Sequence, residues 1–321
     1  MLRRKTLSGL DKLRLDLNAD QFKKTFLETA NQNRALALKQ INDAKLQFPS
    51  LFTLMPEIET LNLYEGLNSR NLQALKVCAK KLNKADLAAQ LNQIYPNEAS
   101  QESLNWMFQT GAGWRAQLYN NEYEAVLDAV TAILLKVYQD KNILPQVVEL
   151  IFQRNQVGSF IHDLVWSFFQ VFDEKALAQV ADHLISDNKS EVKLAQNLLA
   201  LPAPAQADKQ ILENQREQYL NWLKANSPFL YQSGESFQLT SEPKPLNLDL
   251  AAKYLVKKIN YDREPLKPWT DAETRYVQRF KKYPPAEQKI MAEYSLRLHD
   301  QNKRLWKNWL RKRGWRSVKK N

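Results

Sequence analysis

Apolar residues recur at intervals of three and four along most of the chain, which is the spacing of one face of an α-helix. Asn18 precedes the first such run and is a predicted N-cap. The run itself contains Phe22, Phe26, Ala30, Ala37 and Ile41. This pattern predicts one long amphipathic helix over residues 19–46.

The same periodicity continues beyond Pro49 and Pro56 with short breaks. It predicts a helix over 57–67 and another that begins at Ser69 as its cap. Further helices are predicted near 122–139, 144–154, 158–171, 174–186 and 190–201, the last with Ser190 as its cap. The predicted fold class is all-α, with stacked antiparallel helix pairs that are solenoid-like or bundled, and with a basic C-terminal helical segment.

The periodicity stops between Ser227 and Leu248, where Pro228, Gly234 and Pro243 interrupt the chain. We therefore predict a loop or linker over 227–250, with at most a minor hairpin. It separates a helical-repeat-like body at 1–226 from a basic, aromatic helical segment at 251–321.

The basic segment has clear helix signals. Thr270 and Glu273 form a Thr-x-x-Glu capping box, and the helix that they begin should stop at Pro284. A second helix is expected to run unbroken over 286–313. Its predicted inward stripe is Met291, Tyr294, Leu298, Leu305 and Trp309. Its predicted outward cations are Lys289, Arg297, Lys303, Arg304, Lys307 and Arg311.

Charge is concentrated in this segment. The chain has 321 residues and a net charge of +11, but residues 251–321 hold 20 Lys and Arg against 7 Asp and Glu, whereas residues 1–250 hold 26 against 28. A concentrated positive field attracts a polyanion such as nucleic acid, an acidic protein or an anionic membrane surface. We favour nucleic acid, bound through phosphates with little sequence preference. The predicted contacts are Lys303, Arg304, Lys307, Arg311, Lys312, Arg313 and Arg316, with Trp315 as a residue that could stack on a base.

Two stretches resemble known repeats. Residues 172–202 pair FDEKALAQVADHLI with SEVKLAQNLLALP, an order that resembles a HEAT-type repeat and implies stacked helix pairs. Residues 269–313 carry W-T-x-x-E, then FKKYP, then an IMAEYSL helix and WKNWL, which resembles a Myb-type three-helix DNA-binding repeat. That resemblance implies a tryptophan-based core and a turn at His299–Asn302 before a third helix over 303–313 that enters the major groove. The chain departs from the pattern near Ile290, where the family's middle tryptophan would stand.

Catalytic and cofactor motifs are missing. With three histidines and one cysteine, Cys78, no zinc-ligand spacing can be built, and no Gly-rich phosphate loop or nucleophile elbow occurs. We therefore expect no metal, no cofactor and no catalytic residue. A single cysteine and the absence of a long apolar run favour a cytoplasmic protein without a transmembrane segment.

Two other functions remain open. One is a protein-interaction scaffold that meets an acidic partner or a membrane surface through its cationic helix. The other is an enzyme like the helical-repeat DNA glycosylases, which use a basic concave face, tryptophans and a carboxylate. Asp163 would supply that carboxylate, and the face would be lined by Trp106, Trp114, Trp166 and Trp222. Tryptophans that pack helix pairs explain the same residues without catalysis.

Overall fold

The computed structural model describes residues 7–112, 121–204, 208–235 and 244–311. Over these ranges the chain forms α-helices, short 3-10 turns and one small sheet, which confirms the predicted all-α class. None of the helices in the described ranges has the length and apolar content needed to cross a membrane. The chain divides into two compact units, which we call the N-terminal unit (1–168) and the C-terminal unit (169–321). The domain limits expected near 226 and 250 stay predictions.

The N-terminal unit packs its helices around buried aromatic and aliphatic side chains. Phe22, Phe26 and Phe108 are almost fully buried, and the Phe48 ring stacks on Tyr123 at a centroid distance of 5.5 Å. The helices are α1 Gly9–Asp16, α2 Ala19–Gln32, α3 Arg34–Ile41, α4 Phe48–Thr53, α5 Met55–Thr60, α6 Ser69–Lys81, α7 Ala85–Ile94, α8 Gln101–Gly111, α9 Asn121–Lys136, α10 Leu144–Val157 and α11 His162–Phe168.

The prediction of a single helix over 19–46 was wrong. Asn33 is extended, with φ −151° and ψ 90°, so it ends α2 and begins α3. Its side-chain oxygen accepts from the backbone N–H of Leu36 at 2.9 Å, which supplies the cap that a new helix needs. The apolar spacing continues across this break, so periodicity alone could not reveal it. Asn18 does cap α2, as predicted, through the N–H of Gln21.

Two predicted N-caps were wrong by one or two residues, because an asparagine that precedes the predicted serine caps the helix. Asn68 rather than Ser69 caps α6, and Asn188 rather than Ser190 caps the helix that begins at Lys189. The segment expected as one helix over 57–67 is α5 followed by a 3-10 turn at Tyr64–Gly66.

The C-terminal unit begins with three helices, α12 Glu174–Asp182, α13 Lys189–Leu198 and α14 Lys209–Asn226. The first two form the helix pair expected within 172–202, although the HEAT-type resemblance itself stays a prediction. Two short antiparallel strands follow, β1 Leu230–Gln232 and β2 Leu246–Leu248, with Tyr231 opposite Asn247. This is the minor hairpin allowed for in the predicted loop.

The chain then forms four helices that share one core, which we call the C-terminal cluster. They are α15 Leu250–Leu255, α16 Asp271–Phe280, α17 Pro285–Gln301 and α18 Lys303–Arg311. The shared core contains Tyr254, Leu255, Val277, Phe280, Met291, Ala292, Trp309 and Leu310. The predicted capping box at the start of α16 is present in full, with Thr270 and Glu273 each accepting from the other's backbone N–H.

The prediction of an unbroken helix over 286–313 was wrong. Asn302 is extended, with φ −157° and ψ 98°, and its side-chain oxygen accepts from the N–H groups of Arg304 and Leu305, each at 3.0 Å. It therefore ends α17 and caps α18, as Asn33 does between α2 and α3. The break falls in the His299–Asn302 segment, where the three-helix resemblance placed its turn; the resemblance itself remains a prediction.

Candidate nucleic-acid interface

The new helix direction after Asn302 decides which side of α18 is buried. Trp309 and Leu310 lie in the core of the C-terminal cluster. The Trp309 ring contacts Tyr254 and Tyr294 at centroid distances of 5.6 and 5.3 Å. Trp309 was predicted to point inward and does so. Leu305, predicted to lie in the same stripe, is instead 56% exposed, because the break resets the helical phase.

Trp306 is fixed by a buried hydrogen-bond relay. Its indole Nε1 donates to the Ser295 hydroxyl at 2.8 Å, and that hydroxyl donates to the Tyr254 carbonyl at 2.5 Å. Ser295 is fully buried, so these bonds replace water that the groups cannot reach. The His299 ring meets the Trp306 ring edge-on, with centroids 4.8 Å apart. The relay joins α15, α17 and α18 at one point.

The far end of α18 is held by α16. The Arg279 guanidinium donates to the Leu310 carbonyl at 3.1 Å and lies over the Tyr276 ring at 5.0 Å. A cation at a helix C-terminus also compensates the unpaired carbonyls there. The helix is thus anchored near both ends, and its orientation is set by the cluster rather than by its own short length.

The exposed side of α18 forms a continuous polar surface, which we call the basic face. With about 3.6 residues per turn, residues four apart stack along one side. Lys303, Lys307 and Arg311 have this spacing, and so do Arg304 and Asn308. All five are exposed, whereas Trp306, Trp309 and Leu310 occupy the opposite arc. The helix has 9 residues, so this face is about 13 Å long.

Among the described residues, no ion pair neutralises this face. The α18 sequence KRLWKNWLR has no Asp or Glu. Throughout the described ranges, the ion pairs of this unit involve other cations. Lys257 pairs with Glu273 at 3.1 Å, Arg263 pairs with Asp249 at 2.8 Å, and the buried Lys253 pairs with Glu293. Lys303, Arg304, Lys307 and Arg311 take part in none of the ion pairs found in these ranges.

The Glu273 carboxylate shows how firmly one of these acids is held. Burial alone would raise its pKa, but hydrogen bonds from Thr270 and Lys257 outweigh burial and hold the pKa below its ordinary value. The carboxylate therefore remains ionised while it serves the capping box and Lys257.

Four of the eight predicted contact residues lie within the described ranges. Lys303, Arg304, Lys307 and Arg311 lie together on the basic face, as predicted. The other predicted contacts, Lys312, Arg313, Trp315 and Arg316, lie outside the described residues. Sequence reasoning missed Asn308, although its spacing of four from Arg304 was a usable signal. Asn and Arg are side chains that can make paired hydrogen bonds to base edges.

Among the residues considered for a glycosylase-like site, Trp106 and Trp166 make structural contacts. In the N-terminal unit, the Trp106 Nε1 donates to the Leu46 carbonyl at 2.9 Å, and the Arg70 guanidinium lies 4.2 Å from the Trp106 ring. Trp166 lies beneath the Lys136 ammonium at 5.2 Å. Trp222 belongs to the C-terminal unit, and Trp114 lies outside the described residues. Asp163 is partly buried in the first turn of α11.

Across the ranges that the structure describes, no three His, Cys, Asp or Glu side chains are grouped so that they could hold a metal ion. Comparison with known proteins adds no family: no family model matches the chain, and no curated protein or solved structure does. The geometry of the basic face is therefore the main guide to function.

Proposed function

We propose that this chain is a non-catalytic helical binding protein that binds nucleic acid through the basic face of α18. The observation that carries the proposal is the arrangement of Lys303, Arg304, Lys307 and Arg311 on one exposed arc, with no ion-pair partner in the part of the chain that the structure describes. Lys and Arg side chains that neutralise phosphates release condensed counterions, which supplies affinity for any sequence. The helical body acts as a scaffold for this surface, and the cytoplasm is its proposed location.

The width of α18 and its anchoring support a duplex ligand. The major groove of B-form DNA is about 12 Å wide and admits an α-helix, whereas the major groove of A-form RNA is too narrow. A helix held at both ends can present its cations in fixed positions, which reduces the entropy lost on binding. Asn308, between Arg304 and Arg311 on the same arc, would face the base edges.

A membrane surface fits the same helix poorly. Helices that lie in a membrane interface bury their apolar side between lipid chains. Here Trp309 and Leu310 are 8% and 4% exposed, so the apolar side of α18 is already used by the protein core. Leu305 alone remains on the outer side as a large apolar residue of α18.

The test is equilibrium binding of the full chain to a short fluorescent duplex at low salt, followed by anisotropy. We expect saturable binding that weakens steeply as salt rises, and that unlabelled duplex displaces better than poly-glutamate or anionic vesicles do. Absence of binding at low salt would remove the proposal. Binding to poly-glutamate or to vesicles without binding to nucleic acid would favour the acidic-partner or membrane alternative instead.

A further inference from the structure

A cavity of about 300 Å³ lies in the C-terminal unit, lined by residues that are not part of the basic face. Its lining residues are Asp249, Ala251, Arg263, Pro265, Trp269 and Lys281. This volume is at the lower end of the range for small-ligand pockets. The cavity thus has room for a small group rather than for a large molecule.

Arg263 is positioned for binding by its neighbours. Its Nε donates to the Asp249 carboxylate at 2.8 Å, and its guanidinium lies 4.6 Å from the Tyr231 ring centroid. These contacts fix the plane of the guanidinium, while its two terminal nitrogens have no acceptor among the described residues. A guanidinium held in this way is suited to bind a phosphate through two parallel hydrogen bonds.

The backbone of Arg263 is also in an unusual conformation. Its φ is 69°, in the left-handed region that residues with a Cβ rarely adopt. The turn that holds it is closed by Asn260, whose side-chain oxygen accepts from the N–H of Glu264 at 2.7 Å. Strained backbone of this kind is concentrated at ligand sites, because the surrounding structure must enforce it.

Two further donors line the same cavity. The Trp269 Nε1 is buried and has no hydrogen-bond partner in the described part of the chain. The Lys281 side chain is exposed and takes part in none of the ion pairs found in the described ranges. A buried donor without an acceptor is rare in native structures and calls for a bound water or ion.

Both oxygens of the acid in the cavity already accept hydrogen bonds. One oxygen of Asp249 accepts from the N–H groups of Ala251 and Ala252, both at 2.9 Å, and the other accepts from Arg263. The carboxylate is fully engaged. Asp249 offsets one of the two positive charges, so the cavity keeps a net positive charge, and the terminal guanidinium nitrogens, the Lys281 ammonium and the Trp269 indole N–H have no acceptor among the described residues.

We propose that this cavity is a binding site for a phosphate group, held by Arg263, Lys281 and the Trp269 indole N–H. A phosphate offers several charged oxygens and so can accept from all three residues at once, which matches the donor set. The site stands on its own observations and does not require the nucleic-acid function proposed for α18. The phosphate could belong to a nucleic-acid backbone or to a small phosphorylated molecule.

The test uses the full chain with ¹⁵N-labelled tryptophan side chains. The Trp269 Nε1–H signal, assigned with Trp269→Phe, is followed as inorganic phosphate replaces chloride at constant ionic strength. We expect a saturable shift. We also expect Lys281→Ala to weaken phosphate binding about tenfold, the loss typical of one charge-assisted hydrogen bond.

Lys282→Ala is the matched control, because Lys282 is the next residue, is also exposed and carries the same charge. It should leave phosphate binding unchanged. No shift of the Trp269 signal, or equal effects of the two lysine substitutions, would overturn the site and leave a bound water as the explanation. A shift with a short duplex identifies a backbone phosphate, and a shift with thymidine monophosphate but not duplex identifies a small phosphorylated molecule. A duplex that fails to bind at all would contradict the proposed function but not this site.

Discussion

The relay from Trp306 through Ser295 to Tyr254 predicts how firmly α18 is held. Ser295→Ala removes one buried hydroxyl and with it two hydrogen bonds, at 2.8 and 2.5 Å. The indole N–H and the Tyr254 carbonyl then lose their shared partner. Each buried group left unpaired costs about 1–3 kcal/mol. Alanine's better helix propensity returns about 0.5 kcal/mol.

With two groups unpaired, the lower end of that range gives a net loss of about 2 kcal/mol in the free energy that holds α18 against the cluster, and we take this lower value as the minimum expected. This corresponds to about a 30-fold rise in the population in which α18 is open. Hydrogen exchange on the full chain measures this directly, because amides of α18 should exchange about 30-fold faster. Peptides from α12 and α13 provide an internal reference, since they lie outside the cluster's core.

Thr274→Ala is the matched control for this substitution. Thr274 also carries a hydroxyl on a helix of the cluster, but it is exposed, and its side chain makes no hydrogen bond in the described part of the structure. It should change exchange in α18 by less than about twofold. The reasoning is refuted if Ser295→Ala leaves α18 as protected as before, or if Thr274→Ala has the same effect.

Two further predictions concern the N-terminal unit. Burial raises the pKa of Asp128 to about 6, despite the Arg154 guanidinium at 2.8 Å. The pKa of an Asp side chain in the unfolded chain is about 4, so the folded state binds one more proton than the unfolded state between about pH 4 and 6. The free energy of unfolding should therefore fall by up to about 3 kcal/mol as pH rises through that window. Asp128→Asn should reduce the fall of the unfolding free energy with pH, as measured by urea unfolding at several pH values. An unchanged dependence on pH would contradict the role given to Asp128. Gly158 ends α10 at φ 73°, and an added Cβ there would meet no atom within 4 Å. Gly158→Ala should therefore lower the free energy of unfolding by about 1 kcal/mol through backbone strain alone. An unchanged urea midpoint would contradict this prediction.

The sequence predicted the elements whose signals are local. The capping box of Thr270 and Glu273, the stop before Pro284 and the burial of Trp309 all depend on a few neighbouring residues, and all three are present. The outward cations of α18 followed from the same helical spacing. Local hydrogen bonding and periodicity were sufficient for these features.

The helical periodicity missed the breaks at Asn33 and Asn302 for one physical reason. In both places the apolar spacing continues through the break, while a single extended asparagine ends one helix and caps the next. A break of this kind changes the direction of the chain without changing its hydrophobic pattern. It also placed Leu305 on the exposed side, which no count along one ideal helix could show.

The phosphate cavity could not be predicted because its residues are distant in sequence. Asp249, Arg263 and Lys281 come from the start of α15, from a turn and from the end of α16. Only the fold brings them together. The left-handed φ of Arg263 likewise has no signal in residue type, since such positions usually favour Gly, Asn or Asp.

The central claim is that a polyanion binds the basic face of α18 rather than the chain's positive charge in general. The most direct measurement is the salt dependence of duplex binding for two variants of the full chain, each of which loses three positive charges. One carries Arg304→Gln, Lys307→Gln and Arg311→Gln on the basic face. The other carries Lys193→Gln, Lys209→Gln and Lys224→Gln at exposed positions elsewhere in the C-terminal unit.

The account predicts that the first variant binds more weakly and that the slope of log K against log salt becomes shallower by about 3, because each lost phosphate contact removes about 0.9 from the slope. The second variant should keep the slope of the unaltered chain. Equal changes in both variants, or no change in the first, would contradict the claim that α18 carries the binding surface.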